Sequence, residues 1–280
     1  MSALNLQSTL QLLSGYEIPC LGFGIGISFN NTEAVQTLSK PVVLEALKVG
    51  YRHVDTARMY HNEGAVGEAV RESGVPREDV FITSKVPASE RPSTSIEESL
   101  KAFQFEYVDL YLLHSPASGR EARLSAWREL LEAKRAGKIR SAGVSSFNVH
   151  HLEELRNAGL ELPSVNQIEL HPLCQQRPIV EYCQSHGIRI EAFCPIIRGN
   201  MDHPVFTRIA HKHSKDTAQI LLRWSLQHGF VPLPRSTNPM RILSNSQVFD
   251  FELDEEDMEA LDGLDRGKEG AVSWNPVDTA

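Results

Sequence analysis

Cysteine is scarce and poorly placed for bonding: Cys20, Cys174, Cys183 and Cys194 form no C-x-x-C pair and lie mostly beside apolar residues. This excludes a disulfide-stapled scaffold and predicts buried, reduced thiols. No run of 18 apolar residues occurs, which excludes a membrane-spanning helix. The amino terminus has neither the basic nor the apolar segment of a secretory signal, so a cytoplasmic location is expected. Basic residues do not dominate: 28 Lys and Arg stand against 36 Asp and Glu, for a net charge of -8. With the positive residues scattered, a general nucleic-acid or anionic-membrane surface is excluded, and any anion site must be local. A complete dinucleotide fingerprint is missing as well. Gly22 and Gly24 begin G-x-G-x-x-G, but Ile27 stands where the third glycine is required. Gly22, Gly24 and Gly26 instead read as a loop of close backbone approach. The clusters His203, His211, His213 and His150, His151 match no zinc spacing; they read as surface imidazoles, and no metal is expected.

What the chain does have is alternation. After a short pair of strands around Ser14-Gly15, eight apolar runs recur: 20–24, 53–56, 80–84, 108–113, 141–144, 164–168, 189–193 and 231–232. Between them lie helix-period stretches at 42–49, 63–73, 94–103, 122–136, 149–158, 179–186 and 217–228. Gly50, Gly74, Gly137, Gly159, Gly187 and Gly229 stand just past the ends of six of these, where a left-handed cap is favoured. Eight alternations without a long linker predict an α/β fold: a single (β/α)8 TIM barrel spanning residues 1–280, with an N-terminal β-hairpin. A doubly wound sheet is the alternative. With no exposed heptad or apolar patch, a monomer is expected.

In such a barrel, chemistry sits at the carboxyl ends of the strands. Asp55 falls near the end of the second, Lys85 directly after the third, His114 directly after the fourth, and Tyr60 in the loop after the second. Taken singly, these are a turn residue, a solvated lysine, a half-buried imidazole and a rim aromatic. Their shared placement points instead to proton donation. A free phenol, with a pKa of about 10, donates poorly unless a cation favours its anion, and Lys85 can be that cation. Asp55 would keep the lysine charged, and His114 would orient a carbonyl oxygen. A donor, a charge pair and an imidazole suit hydride transfer better than hydrolysis.

Several motifs along the chain resemble the aldo-keto reductases. They are Gly50-Tyr51-Arg52-His53-Val54-Asp55-Thr56-Ala57 with Tyr60 and Asn62-Glu63; Ile82-Thr83-Ser84-Lys85; Asp109-Leu110-Tyr111-Leu112-Leu113-His114; and Gly137-Lys138-Ile139-Arg140-Ser141 with Gly143-Val144-Ser145. Further on come Asn166-Gln167-Ile168-Glu169 with His171-Pro172, and Pro234-Arg235-Ser236. The resemblance implies NADPH-dependent reduction of aldehydes or ketones, with Asp55, Tyr60, Lys85 and His114 as the catalytic tetrad. It also implies that nicotinamide is held by Ser145, Ser146, Gln167 and the Phe193 ring, that Ile196 and Arg198 lie along the pyrophosphate, and that Arg235, Ser236 and Arg241 take the 2′-phosphate, with Asn245 at adenine. Ser146 stands where the family usually has Asn, Phe193 where it has Tyr, and Arg235 where it has Lys.

Ile27, Val86, Ser115 and Trp274 are the expected substrate contacts. The family often places aromatics where this chain has Gly26, Val86 and Ser115, which predicts an open pocket with broad acceptance of small aldehydes and ketones. Two other readings compete. One is a Schiff-base barrel with Lys85 as nucleophile; the other is a cofactor-binding barrel with a regulatory or structural role and little turnover.

Overall fold

The computed structural model describes residues 4–26 and 32–280, so Ile27, an expected substrate contact, lies outside the described residues. Strands β1 (Thr9–Gln11) and β2 (Glu17–Pro19) pair antiparallel, with Leu10 opposite Ile18. Eight further strands form one sheet in sequential order: β3 (Phe23–Gly24), β4 (His53–Asp55), β5 (Phe81–Val86), β6 (Val108–Leu113), β7 (Ile139–Ser145), β8 (Val165–Glu169), β9 (Arg189–Phe193) and β10 (Val231–Pro232). Every neighbouring pair in that sheet is parallel. Gly22 N donates to Pro232 O at 3.1 Å and Gly24 N to Pro234 O at 3.0 Å, so the last strand bonds to the first and the sheet closes. The seam needs a glycine, since a Cβ at Gly22 would sit 2.5 Å from Leu233 Cδ2 and 2.6 Å from His53 Nδ1.

The hairpin is the plug of this barrel. Leu12 and Ile18 pack with Phe81, Leu110, Leu112, Val165, Val231 and Leu233, which fill the interior at its amino-terminal end. Burying these side chains removes the hairpin and the barrel floor from water together, at roughly 1.5–3 kcal/mol for each large apolar group. The outer layer holds ten α-helices among the described residues: α1 (Thr32–Val49), α2 (Glu63–Glu72), α3 (Pro92–Phe103), α4 (Arg120–Arg135), α5 (Val149–Asn157), α6 (Arg177–Ser185), α7 (Pro204–His213), α8 (Thr217–Gln227), α9 (Pro239–Ser246) and α10 (Glu255–Asp262). All six glycines expected at helix ends have positive φ, from +67° at Gly159 to +117° at Gly50.

Three differences from the sequence reading have plain causes. Helix α1 begins ten residues before the expected Val42 and runs through Pro41; an interior proline removes a backbone donor and crowds the preceding turn, so local preference places a boundary there. Helices α7, α9 and α10 were not expected; they are short, and polar residues dominate their exposed faces. Strand β5 continues two residues further than its apolar run. Lys85 therefore lies inside the strand with its side chain in the barrel, and Val86 points to the opposite face by the two-residue period.

Candidate active site at the carboxyl ends of the strands

Asp55, the last residue of β4, and Lys85 in β5 meet across adjacent strands. Lys85 Nζ donates to Asp55 Oδ1 at 2.7 Å and to Thr56 O at 2.7 Å, with the lysine only 1% exposed. Burial pulls the ammonium down, but Asp55, Tyr60 and Glu191 outweigh it and the net shift is upward. Lys85 is therefore an ammonium at neutral pH, and its hydrogen bonds and burial leave no free lone pair for a Schiff base.

The turn after β4 carries Tyr60. Asn62 secures this turn, a role that its place in the Asn62-Glu63 motif did not disclose. Its buried amide receives Thr56 Oγ1 at 2.5 Å and donates to Ile25 O and Ser39 Oγ at 3.0 and 3.2 Å. Lys85 Nζ lies 5.3 Å from the centre of the Tyr60 ring, and the His114 ring meets it edge-on with centroids 5.8 Å apart. A Cβ at Gly26 would come within 3.2 Å of the same ring, so the glycine leaves the phenol its place. Burial raises the Tyr60 pKa and Lys85 draws it back without reversing the shift. The phenol is thus protonated across the physiological range. His114 is pushed down to about 3, by burial first and then by Lys85, so its imidazole is neutral.

Asp55, Tyr60 and His114 line a cleft of about 1240 Å³ together with Ser115, Ser145, Ser146, Gln167, Phe193, Ile196, Arg198, Arg235, Ser236, Arg241, Asn245 and Trp274. Lys85 lies behind this wall. Val86 does not reach the cleft, because it is fully buried in the layer between strands and helices, and Pro87 takes its place on the wall. Met59 and Trp274, 57% and 66% exposed, form an apolar rim of which sequence reasoning named only Trp274.

The turn after β9 is unusual. Cys194, Ile197, Arg198 and Gly199 all have positive φ, between 51° and 92°, so three non-glycine residues are held in the left-handed region. Each costs roughly 1–2 kcal/mol, and the result is to bring Arg198 to the cleft near Arg235. Burial and then the Arg198 charge lower the Arg235 pKa. Arg235 Nη1 donates to Gly26 O at 2.6 Å. Among the described residues Arg198, Arg235 and Arg241 have no carboxylate partner, although all three line one cleft. Uncompensated guanidiniums and a proton donor lining one cleft fit a phosphate-bearing dinucleotide.

The histidines expected at the surface divide. His151 is buried and hydrogen-bonds Thr279 O, and His213 pairs with buried Asp257 at 2.7 Å. His211 is exposed. No three His, Cys, Asp or Glu converge as metal ligands among the described residues. All four cysteines are free, three of them buried, and no helix among the described residues is long and apolar enough to cross a membrane.

A closed parallel barrel with a phenol, an ammonium–carboxylate pair and a neutral imidazole at its carboxyl end, beside an anion-binding cleft, defines an oxidoreductase barrel. Comparison with known proteins makes the assignment particular. The Aldo/keto reductase family matches residues 21–266, and the chain belongs to that family. It is 44% identical over 277 residues to the glyoxal reductase of Bacillus subtilis, covering 97% of each chain. It is 40% identical over 271 residues to the methylglyoxal reductase DkgA of Yersinia pestis, covering 95% of each. Among solved structures, a Gox0644 variant in complex with NADPH superimposes with a TM-score of 0.90 at 35% identity, covering 98% of this chain and 99% of that one.

Proposed function

We propose that Asp55, Tyr60, Lys85 and His114 perform the proton transfer in NADPH-dependent carbonyl reduction, and that small 2-oxoaldehydes are among the substrates. NADPH, when bound, supplies the hydride to the carbonyl carbon. Tyr60 gives its hydroxyl proton to the carbonyl oxygen as negative charge develops there, and Lys85 stabilises the phenolate left behind. Asp55 holds Lys85 in place and charged. Neutral His114 orients the carbonyl oxygen by a hydrogen bond. Ser145, Ser146, Gln167 and Phe193 would hold the nicotinamide; Ile196 and Arg198 would lie along the pyrophosphate; and Arg235, Ser236, Arg241 and Asn245 would take the adenosine end.

The carrying observation is the buried Lys85–Asp55 pair set 5.3 Å from the Tyr60 ring in a cleft with unpaired arginines. A fully desolvated ammonium beside a phenol has no evident structural purpose, because removing one member of such a pair costs about 3–5 kcal/mol while a hydrophobic replacement of both often costs nothing. The substrate class is supported by the names of the relatives and by the small side chains at Gly26 and Ser115. We further infer a monomer located in the cytoplasm, the location being in keeping with four unpaired cysteines.

The test is loss of reduced-nicotinamide absorbance with methylglyoxal and with a panel of larger aldehydes and ketones. Tyr60→Phe should lower kcat by roughly 10²–10⁴-fold while NADPH binding persists. Full activity in that variant would refute the assignment, and NADPH binding without turnover of any carbonyl would favour the regulatory reading.

A further inference from the structure

Strands β8 and β9 place Gln167 directly opposite Glu191, both facing the barrel interior and 3% and 0% exposed. Gln167 Nε2 donates to Glu191 Oε2 at 2.7 Å and to Asp55 Oδ2 at 2.8 Å. An amide nitrogen carries two hydrogens, and carboxyl oxygens are their natural acceptors. Carboxyl groups from β4 and β9 therefore use both, leaving the Gln167 carbonyl oxygen as its one uncommitted polar atom, in a residue that lines the cleft. Turning the amide over would set its oxygen against two carboxyl groups with too few donors among them, in a buried site where unpaired acceptors are costly.

We propose that Glu191 is a positioning residue which, with Asp55, locks the Gln167 amide so that the cleft offers a bound nicotinamide a hydrogen-bond acceptor and selects for a carboxamide NH2. This rests on the NADPH reading of the cleft. The surroundings of Glu191 agree with a fixed acceptor. Its Oε1 has no partner, His53 Nε2 stands 3.5 Å away, and that ring nitrogen is engaged with Thr83 Oγ1 at 2.9 Å. Burial, and then the neighbouring Asp55 charge, push the Glu191 carboxyl up to about 8. Oε2 receives the Gln167 amide hydrogen and so is the acceptor, and Oε1 is the oxygen left for a proton. Sequence reasoning passed over Glu191 because it lies within an apolar strand run and matches no motif.

The experiment measures dissociation constants, by calorimetry on the full chain, for the thionicotinamide and 3-acetylpyridine analogues of NADP+. The first keeps the NH2 group and the second replaces it with a methyl of similar size. In the wild-type chain the acetylpyridine analogue should bind at least about tenfold more weakly, the loss expected for one unmade hydrogen bond. Glu191→Gln retains an acceptor oxygen and should preserve that ratio. Glu191→Met and Glu191→Leu remove it and should shrink the ratio to about threefold or less, whichever of the two folds better by circular dichroism. Folded Met or Leu variants that keep the wild-type ratio would overturn the proposal, as would a wild-type chain that binds both analogues equally. If the wild-type chain binds neither analogue nor NADPH, the cofactor reading itself fails, and this inference with it.

Discussion

At His114 and Tyr60, burial decides protonation. The imidazole is held at about 3 and the phenol above its ordinary value, so neither changes charge between pH 5 and 8. We therefore expect kcat for carbonyl reduction to show no limb near 6.5, and steady-state rates across that range check this. A limb near 6.5 that disappears in His114→Gln would show that the imidazole titrates and acts as the acid. The residue types and their order were legible in the sequence, since each follows an apolar run. What could not be read was the sign of the Tyr60 shift. The sequence suggested that Lys85 would dominate, and the enclosure of the phenol, which depends on Gly26 and on packing, outweighs it.

Among the elements, α2 packs on α3 with a close backbone approach. A Cβ at Gly67 would lie 2.2 Å from Phe103 O, and the Arg71 guanidinium bonds that same carbonyl. Gly67→Ala should therefore destabilise the chain by about 2 kcal/mol despite alanine's better helix propensity. Thermal melting should register this as a fall of roughly 4–8 °C, and an unchanged melting temperature would mean that the two helices part at little cost. Long periodic helices such as α4 and α8 were readable from spacing and from their terminal glycines. Helices α7, α9 and α10 were not, because α7 precedes α8 within one strand-to-strand connection and α9 and α10 follow the last strand, outside a pattern of one helix between successive strands. The turn after β9 was hidden too, because left-handed conformations at Cys194, Ile197 and Arg198 contradict local preference.

At the scale of the whole molecule, burial in the barrel moves one carboxyl and two imidazoles away from their ordinary titration ranges. Glu191 rises from 4.5 to about 8, while His53 and His114 fall from 6.5 to about 3. The raised carboxyl contributes stability below pH 4.5 that is lost as pH climbs through 8. The depressed imidazoles contribute stability above pH 6.5 that is lost as pH falls towards 3. Glu191→Gln should melt near the wild-type temperature at pH 5 and above it at pH 9. Equal melting temperatures at both values would show that Glu191 titrates normally.

The sequence alone determined the alternation of eight strands with helices, the family and the order in which Asp55, Tyr60, Lys85 and His114 follow the strands, because hydrophobic period, terminal glycines and short motifs are local properties of the chain. Tertiary structure alone decided that the hairpin plugs the barrel, that Val86 turns away from the cleft while Met59 joins its rim, and that Glu191 and Asp55 share the Gln167 amide. Each of these depends on strand register and barrel closure, which bring together distant groups, Asp55 and Glu191 at 136 residues apart among them, and leave no trace in the spacing of either one.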